Sequence, residues 1–319
     1  VSLSDHDALE QLLDSMGFES VPGEAEERNE APPETKTVED FSGTIMWDIE
    51  TGPRSKKNLD KFFVPPELPD DPPPFADFDE AAVKYGRAKK PETKERILAE
   101  KKAKHLADKE AYEKKTANWP KEKKRILAEA FESFIEDAAL SPITGRVCAI
   151  GYYYPGQKDP YRIDQAGPGD NTDHEAAVLA GLWSQCNAVR IKRGSKMIGF
   201  NSNGWDLPFC IRRSWAHSIK VPDWIYEQKG RWTNLAPMFV DLLQIWKLGE
   251  QWYKSPVEGI KHNLDTICKF MGVGRKTPGI SGKDFHRLYL TEPEKAMKYL
   301  RTDLDLTHGL ALALGVVGG

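Results

Sequence analysis

Apolar positions along the chain change period several times, and each change marks an element. Thr44-Ile45-Met46-Trp47-Asp48-Ile49-Glu50 is β-prone and stops at the turn signal Thr51-Gly52-Pro53. Residues 145–154, GRVCAIGYYY, predict a second strand, and 161–164 a partner that pairs with it as a hairpin. A short apolar run at 197–200 predicts a buried strand, and 238–244 a strand that leads into a helix. Helical spacing predicts helices over 91–116 and 120–139, the second opened by Pro120, which suits a first helical turn. Further helices are predicted from about Thr172 through Trp183, capped by Asn171 or Thr172, and around 205–215, 263–271 and 293–313. Strands come first and then alternate with helices, which indicates an α/β domain interrupted after its first strand by a helical insertion.

Two segments stand outside this pattern, and charge separates them. Residues 1–40 hold twelve acidic and two basic residues, and from Glu19 to Lys36 almost nothing apolar is available for burial, so this stretch is predicted to be disordered. Within it Leu9, Leu12, Leu13 and Met16 fall at helical spacing, a candidate docking helix for a polymerase or other replication partner. The same spacing fits a frayed helix with no task. A proline-rich loop, Pro65-Pro66, Pro69 and Pro72-Pro73-Pro74, precedes the two central helices. From Lys84 to Arg125 there are sixteen Lys/Arg against seven Asp/Glu, a net of +9, over a thin apolar stripe. The expectation is an α-hairpin whose base packs on a core and whose basic length is exposed. The formal net charge of −4 hides this segregation.

With 319 residues and 39% hydrophobic content the chain can build a real core, and a disulfide mini-scaffold is excluded. Cys148, Cys186, Cys210 and Cys268 lie far apart in apolar settings with no CxxC pair, which reads as reduced core thiols. The longest apolar run, 309–319, is shorter than the ~18 residues of a membrane span. No basic-then-apolar segment opens the sequence. The expectation is a soluble cytoplasmic protein that does not engage a membrane.

Three short segments carry candidate chemistry. In a strand, Asp48 and Glu50 would point to one face, about 6.6 Å apart along the chain, a spacing at which two carboxylates share hard divalent cations. The triplet alone also fits an exposed strand end. Gly199-Phe200-Asn201-Ser202-Asn203-Gly204-Trp205-Asp206-Leu207-Pro208-Phe209 is an apolar strand, a polar turn and a helix opened by Asp206, as ligand or simply as cap. On the last helix Tyr299 and Asp303 are four residues apart and share a face.

Taken together and in this order, the three resemble the motifs of the DnaQ-like, or DEDD, 3′→5′ exonucleases, in the tyrosine subclass. WDIET is similar to that family's first motif, GFNSNGWDLPF to its second in the family B DNA polymerase form, and YLRTD to its third. Trp205 stands where Phe or Tyr is usual. TGRVCAIGY, His174-Glu175, Val240-Asp241-Leu242-Leu243 and the stretch from Leu264-Asp265-Thr266 to Ile280-Ser281-Gly282 add to the likeness. It covers 41–52 and 141–319, leaving 1–40 as a tail and 53–140 as an insertion.

The resemblance implies a ribonuclease-H-like fold, a mixed central sheet flanked by helices. It implies that Asp48, Glu50, Asp206 and Asp303 hold two divalent ions, Mg²⁺ or Mn²⁺, while Tyr299 orients the attacking water. The expected activity is hydrolysis at the 3′ ends of single-stranded DNA with release of nucleoside 5′-monophosphates. RNA ends, or a module that binds ends without cutting, are the alternatives. Thr51, Asn201, Phe200, Trp205 and Phe209 are candidate contacts for the terminal nucleotides. Lys101, Lys102, Lys104, Lys114, Lys115, Lys123 and Lys124 are candidates for a nucleic-acid backbone, against the alternative of a solvated helix pair supported by i, i+4 ion pairs.

Overall fold

The computed structural model describes residues 43–86, 89–167, 169, 172–226, 236–249, 260–280 and 282–318. The candidate docking helix at 9–16 and the acidic stretch lie outside the described residues. Five strands form one sheet: β1 (Ile45–Pro53), β2 (Gly145–Tyr153), β3 (Tyr161–Gln165), β4 (Met197–Gly199) and β5 (Phe239–Asp241). Their order is β3-β2-β1-β4-β5. β1, β4 and β5 run parallel, and β2 is antiparallel to both β1 and β3. A mixed sheet in this order, with helices on its faces, is the ribonuclease-H-like arrangement.

The two-residue period of β1 sorts its side chains between two helical layers. Ile45, Trp47 and Ile49 enter one core with α4 (Thr172–Ile191), through Leu179, Leu182 and Cys186, and with α5 (Asp206–Ala216), through Leu207 and Phe209. Met46 enters another, with α6 (Leu242–Lys247), α7 (Leu264–Phe270) and α9 (Pro293–Ala313). A third cluster joins Cys148 and Ala149 of β2 to α9 and to α8 (Gly282–Thr291). Each large apolar side chain buried this way contributes roughly 1.5–3 kcal/mol. Helix α8 was not among the predicted elements, although Phe285, Leu288 and Tyr289, all buried, carry the i, i+3, i+4 signal. The four cysteines are buried free thiols, and no helix among the described residues is long and apolar enough to cross a membrane.

Two local features set the geometry at the sheet centre. Gly151 lies opposite Asp48 in the β1–β2 register, and a Cβ there would stand 2.9 Å from Leu304 Cδ1 and 3.0 Å from Leu300 Cγ. The missing side chain lets α9 lie close over β2, beside the strand that carries Asp48. Further along, the register slips between Glu50 and Thr51, and such a bulge bends a strand and re-aims its side chains. Behind the sheet Glu175 of α4 is 2% exposed and accepts from Val147 N (2.9 Å), Arg213 Nε (2.8 Å) and Arg213 Nη2 (2.7 Å), so one buried ion pair ties α4, β2 and α5 together.

The insertion leaves and re-enters at neighbouring points, since Pro53 pairs with Gly145 and Arg54 N–H donates to Thr144 O at 2.9 Å. Residues 53–62, including the single turn α1 (Lys56–Leu59), and 135–144 belong with the sheet domain. The compact unit built from 63–134 holds the proline-rich segment, α2 (Pro91–Ala117) and most of α3 (Trp119–Ala138). Within that unit the segment lies along the helices. Phe63 stacks edge-on to Phe131 at 5.0 Å, Phe75 meets Tyr112 at 5.3 Å, and Phe78 meets His105 at 5.2 Å. Helix α2 buries no residue at all.

Candidate active site

Asp48 and Glu50 share a face of β1, and α9 brings Asp303 to them. One carboxylate oxygen from each lies within 4.8 Å of the other two. Asp206 opens α5 beyond the end of β4, where its carboxylate is buried close enough for its charge to raise Asp48. Glu50, Asp206 and Asp303 are buried, and Asp48 keeps partial exposure. Tyr299 sits one turn before Asp303 on α9 and is buried as well. Three segments far apart in sequence thus bring their acidic side chains together, with the phenol of Tyr299 beside them.

A fifth charged group completes the cluster, and sequence reasoning missed it. Lys276 Nζ forms an ion pair with Asp303 Oδ2, donates to Tyr299 Oη at 3.2 Å, and stands 5.2 Å from the Tyr299 ring centre. Its own backbone N–H donates to Asp265 Oδ1 at 2.7 Å, which ties the 272–280 loop to α7. That loop reads as Gly-Val-Gly-Arg-Lys-Thr-Pro-Gly-Ile, where no periodicity says which basic side chain turns inward. Asp241 has a role that its place in the sequence does not reveal. It accepts from Asn201 N (2.8 Å), Asn203 N (3.1 Å) and Leu243 N (2.9 Å), so it both caps α6 and fixes the turn that precedes Asp206.

The electrostatics are those of an acidic cluster short of counter-charge. Burial pushes Asp48 well above the usual carboxylate range, the charges of Asp206 and Asp303 add to the rise, and Lys276 opposes it. Burial raises Glu50, and the charges of Asp48, Asp303 and Asp206 add to the rise. Burial lifts Asp206 to about 7. Burial alone would lower Lys276, but the charge of Asp303 and the hydrogen bond to it outweigh burial and hold the ammonium form. Burial raises Tyr299 as well, so its phenol stays protonated. Asp303 Oδ1 is buried without a hydrogen-bond partner among the described residues. An orphaned carboxylate oxygen beside two further carboxylates offers only hard oxygen donors, which fits Mg²⁺ or Mn²⁺.

The softer contacts divide. Phe209 is 1% exposed inside the core under α5, so it is not a surface for a base; the Leu-Pro-Phe run turns its aromatic inward because α5 must bury that face. Thr51 is buried too, and its hydroxyl donates to Ala139 O at 2.8 Å, a bond that holds the stem of the insertion. Phe200 is half-buried against the α6–α7–α9 core. Asn201 is exposed in the left-handed region, φ 59°, at the head of the turn. Trp205 is half-buried with its ring 5.4 Å from that of Phe209. Asn201 and Trp205 therefore remain as candidate contacts, with Phe200 at their edge.

A family model described as a predicted 3′-5′ exonuclease related to the exonuclease domain of PolB matches residues 140–316, more than half of the chain. The matched stretch holds Asp206, Lys276, Tyr299 and Asp303, while Asp48 and Glu50 precede it on the far side of the insertion. No curated protein matches the sequence. Among solved structures, the family B DNA polymerase of the hyperthermophilic archaeon Pyrobaculum calidifontis is 20% identical, with a TM-score of 0.40; the alignment covers 55% of this chain and 23% of that one. The chain thus spans under a quarter of the polymerase's length.

Proposed function

Because the chain belongs to the family of predicted 3′-5′ exonucleases related to the exonuclease domain of PolB, we propose that it hydrolyses phosphodiester bonds at the 3′ ends of single-stranded DNA, releasing nucleoside 5′-monophosphates. The observation that carries this reading is the convergence of Asp48, Glu50 and Asp303 around an unpartnered carboxylate oxygen, with the buried Asp206 near enough to act on Asp48. Two divalent cations bound by these four side chains would supply an acidified water and neutralise charge on the leaving 3′ oxygen.

The chain's own groups do the rest. Tyr299, kept protonated, positions a water by donating or accepting at Oη and is no general base. Lys276, on the other side of that hydroxyl, fixes its direction and adds positive charge where the phosphate must lie. The turn fixed by Asp241 presents Asn201 and Trp205 beside Asp206, where a terminal sugar and base would rest. These positions support cleavage from an end.

A 5′-labelled oligonucleotide tests the proposal. The expected result is a ladder shortened from the 3′ end with Mg²⁺ or Mn²⁺ and none with EDTA. Internal cuts would overturn it, and so would stable binding without cleavage in Mn²⁺. Faster degradation of a matched RNA would move the substrate to RNA. Tyr299→Phe, which keeps the ring packing, should lower kcat by roughly 10- to 100-fold and leave the Mn²⁺ concentration for half-activity within about twofold, as loss of one positioning group does.

A further inference from the structure

The structure sorts the lysines of the insertion into two sets. Lys102 pairs with Glu80 at 2.7 Å and Lys123 with Asp71 at 2.6 Å, both acids of the proline-rich segment. These two hold the arm together. Lys101, Lys115, Lys121 and Lys124 are exposed and have no ion-pair partner among the described residues. None of the four has an Asp or Glu three or four residues away in either direction, so i, i+4 support of a solvated helix does not account for them. Instead Lys121 has Lys124 and Arg125 at those spacings, and Lys101 has Lys104, contacts that each cost a few tenths of a kcal/mol. Lys121 also stands in the first turn of α3, where the helix dipole disfavours a cation. Locally unfavourable positive charge on the exposed faces of these two helices is what an external polyanion would compensate.

The chain path says which polyanion. The insertion is rooted at the Pro53–Gly145 pair, three residues beyond Glu50 on the same strand. Resting on the exonuclease reading, we infer that the α2–α3 arm is a nucleic-acid-binding element that takes the sugar-phosphate backbone of the strand being degraded, through Lys101, Lys115, Lys121 and Lys124. Contacts of this kind carry no base preference and are released by salt.

The test uses the full chain and the variant K101Q/K115Q/K121Q/K124Q, with circular dichroism to show that helix content is kept. Binding of a labelled 30-nucleotide single strand is measured by fluorescence anisotropy in EDTA across 50–200 mM KCl. Removing four phosphate contacts should reduce the slope of log Kd against log[KCl] by about 2–3 and weaken binding at 50 mM at least tenfold. An unchanged slope and Kd overturn the inference, and assign these lysines to solvent or to an acidic protein. Cleavage of a tetranucleotide with Mn²⁺ separates the two readings. A lowered slope with no cleavage by either protein would sink the exonuclease and leave the arm, whereas a ladder with an unchanged slope would do the reverse.

Discussion

Replacing Asp48 by Asn is expected to cut cleavage by at least about 10²–10³-fold, the loss seen when one preorganised electrostatic group leaves an active site, and yet to make the metal-free protein more heat-stable. The second half follows from the same cluster. Burial raises the carboxyl groups of Asp48, Glu50 and Asp206, Asp206 to about 7, and neighbouring negative charge adds to the rise at each of them. Between pH 4 and pH 7 the folded chain therefore holds protons that the unfolded chain has released. Stability must fall as pH rises through that window, because the native state binds the greater number of protons there. In EDTA the wild-type Tm should drop between pH 5 and pH 8 by several degrees more than that of D48N. Adding Mn²⁺ should restore wild type at pH 8 and do little at pH 5, where protons already occupy the carboxylates. Thermal melts of both proteins, with and without metal, check this directly. A wild-type Tm that climbs in EDTA over this range, with D48N parallel to it, would mean that the four acids do not repel one another.

Both the sheet and its acids were legible in the sequence for the same reason. A two-residue period forces Asp48 and Glu50 onto one face whatever else the chain does, and a helical period forces Tyr299 and Asp303 onto another. The place of Asp206 at a helix start was legible from an apolar strand breaking into a polar turn, but cap and ligand read alike there, and only the family resemblance pointed to a ligand. Side chains whose direction depends on tertiary packing were not legible. Phe209 and Asn201 lie in one motif, but α5 needs an aromatic inward and the turn needs a residue that tolerates positive φ. Only the fold says which of them faces outward. Lys276 escaped altogether because it is aimed by a single hydrogen bond from its backbone to Asp265, eleven residues away, and a loop has no period from which to read that. In the insertion, net charge showed that something basic was present, but not that Lys102 and Lys123 are spent on Glu80 and Asp71.

Lys276→Met should destabilise the metal-free protein by about 2–4 kcal/mol, a fall in Tm of roughly 5–15 °C, and the coupling to Asp303 is what identifies the cause. The ammonium group is the only cation paired with the cluster among the described residues, and removing it leaves Asp303 buried beside Asp48 and Glu50 with both oxygens unanswered. If that is the origin of the loss, Lys276→Met in an Asp303→Asn background should cost little, since a neutral amide needs no counter-charge. The double-mutant cycle should then give an interaction of at least about 1.5 kcal/mol. Saturating Mn²⁺ should recover much of the Tm of K276M, because bound cations replace the missing charge, but should not recover the rate. Tyr299 Oη loses its donor in K276M, so kcat should remain roughly 10- to 100-fold low even where the fold is rescued. Equal destabilisation in the two backgrounds would show that Lys276 contributes through its aliphatic stem against Tyr299, and its part in the chemistry would have to be given up.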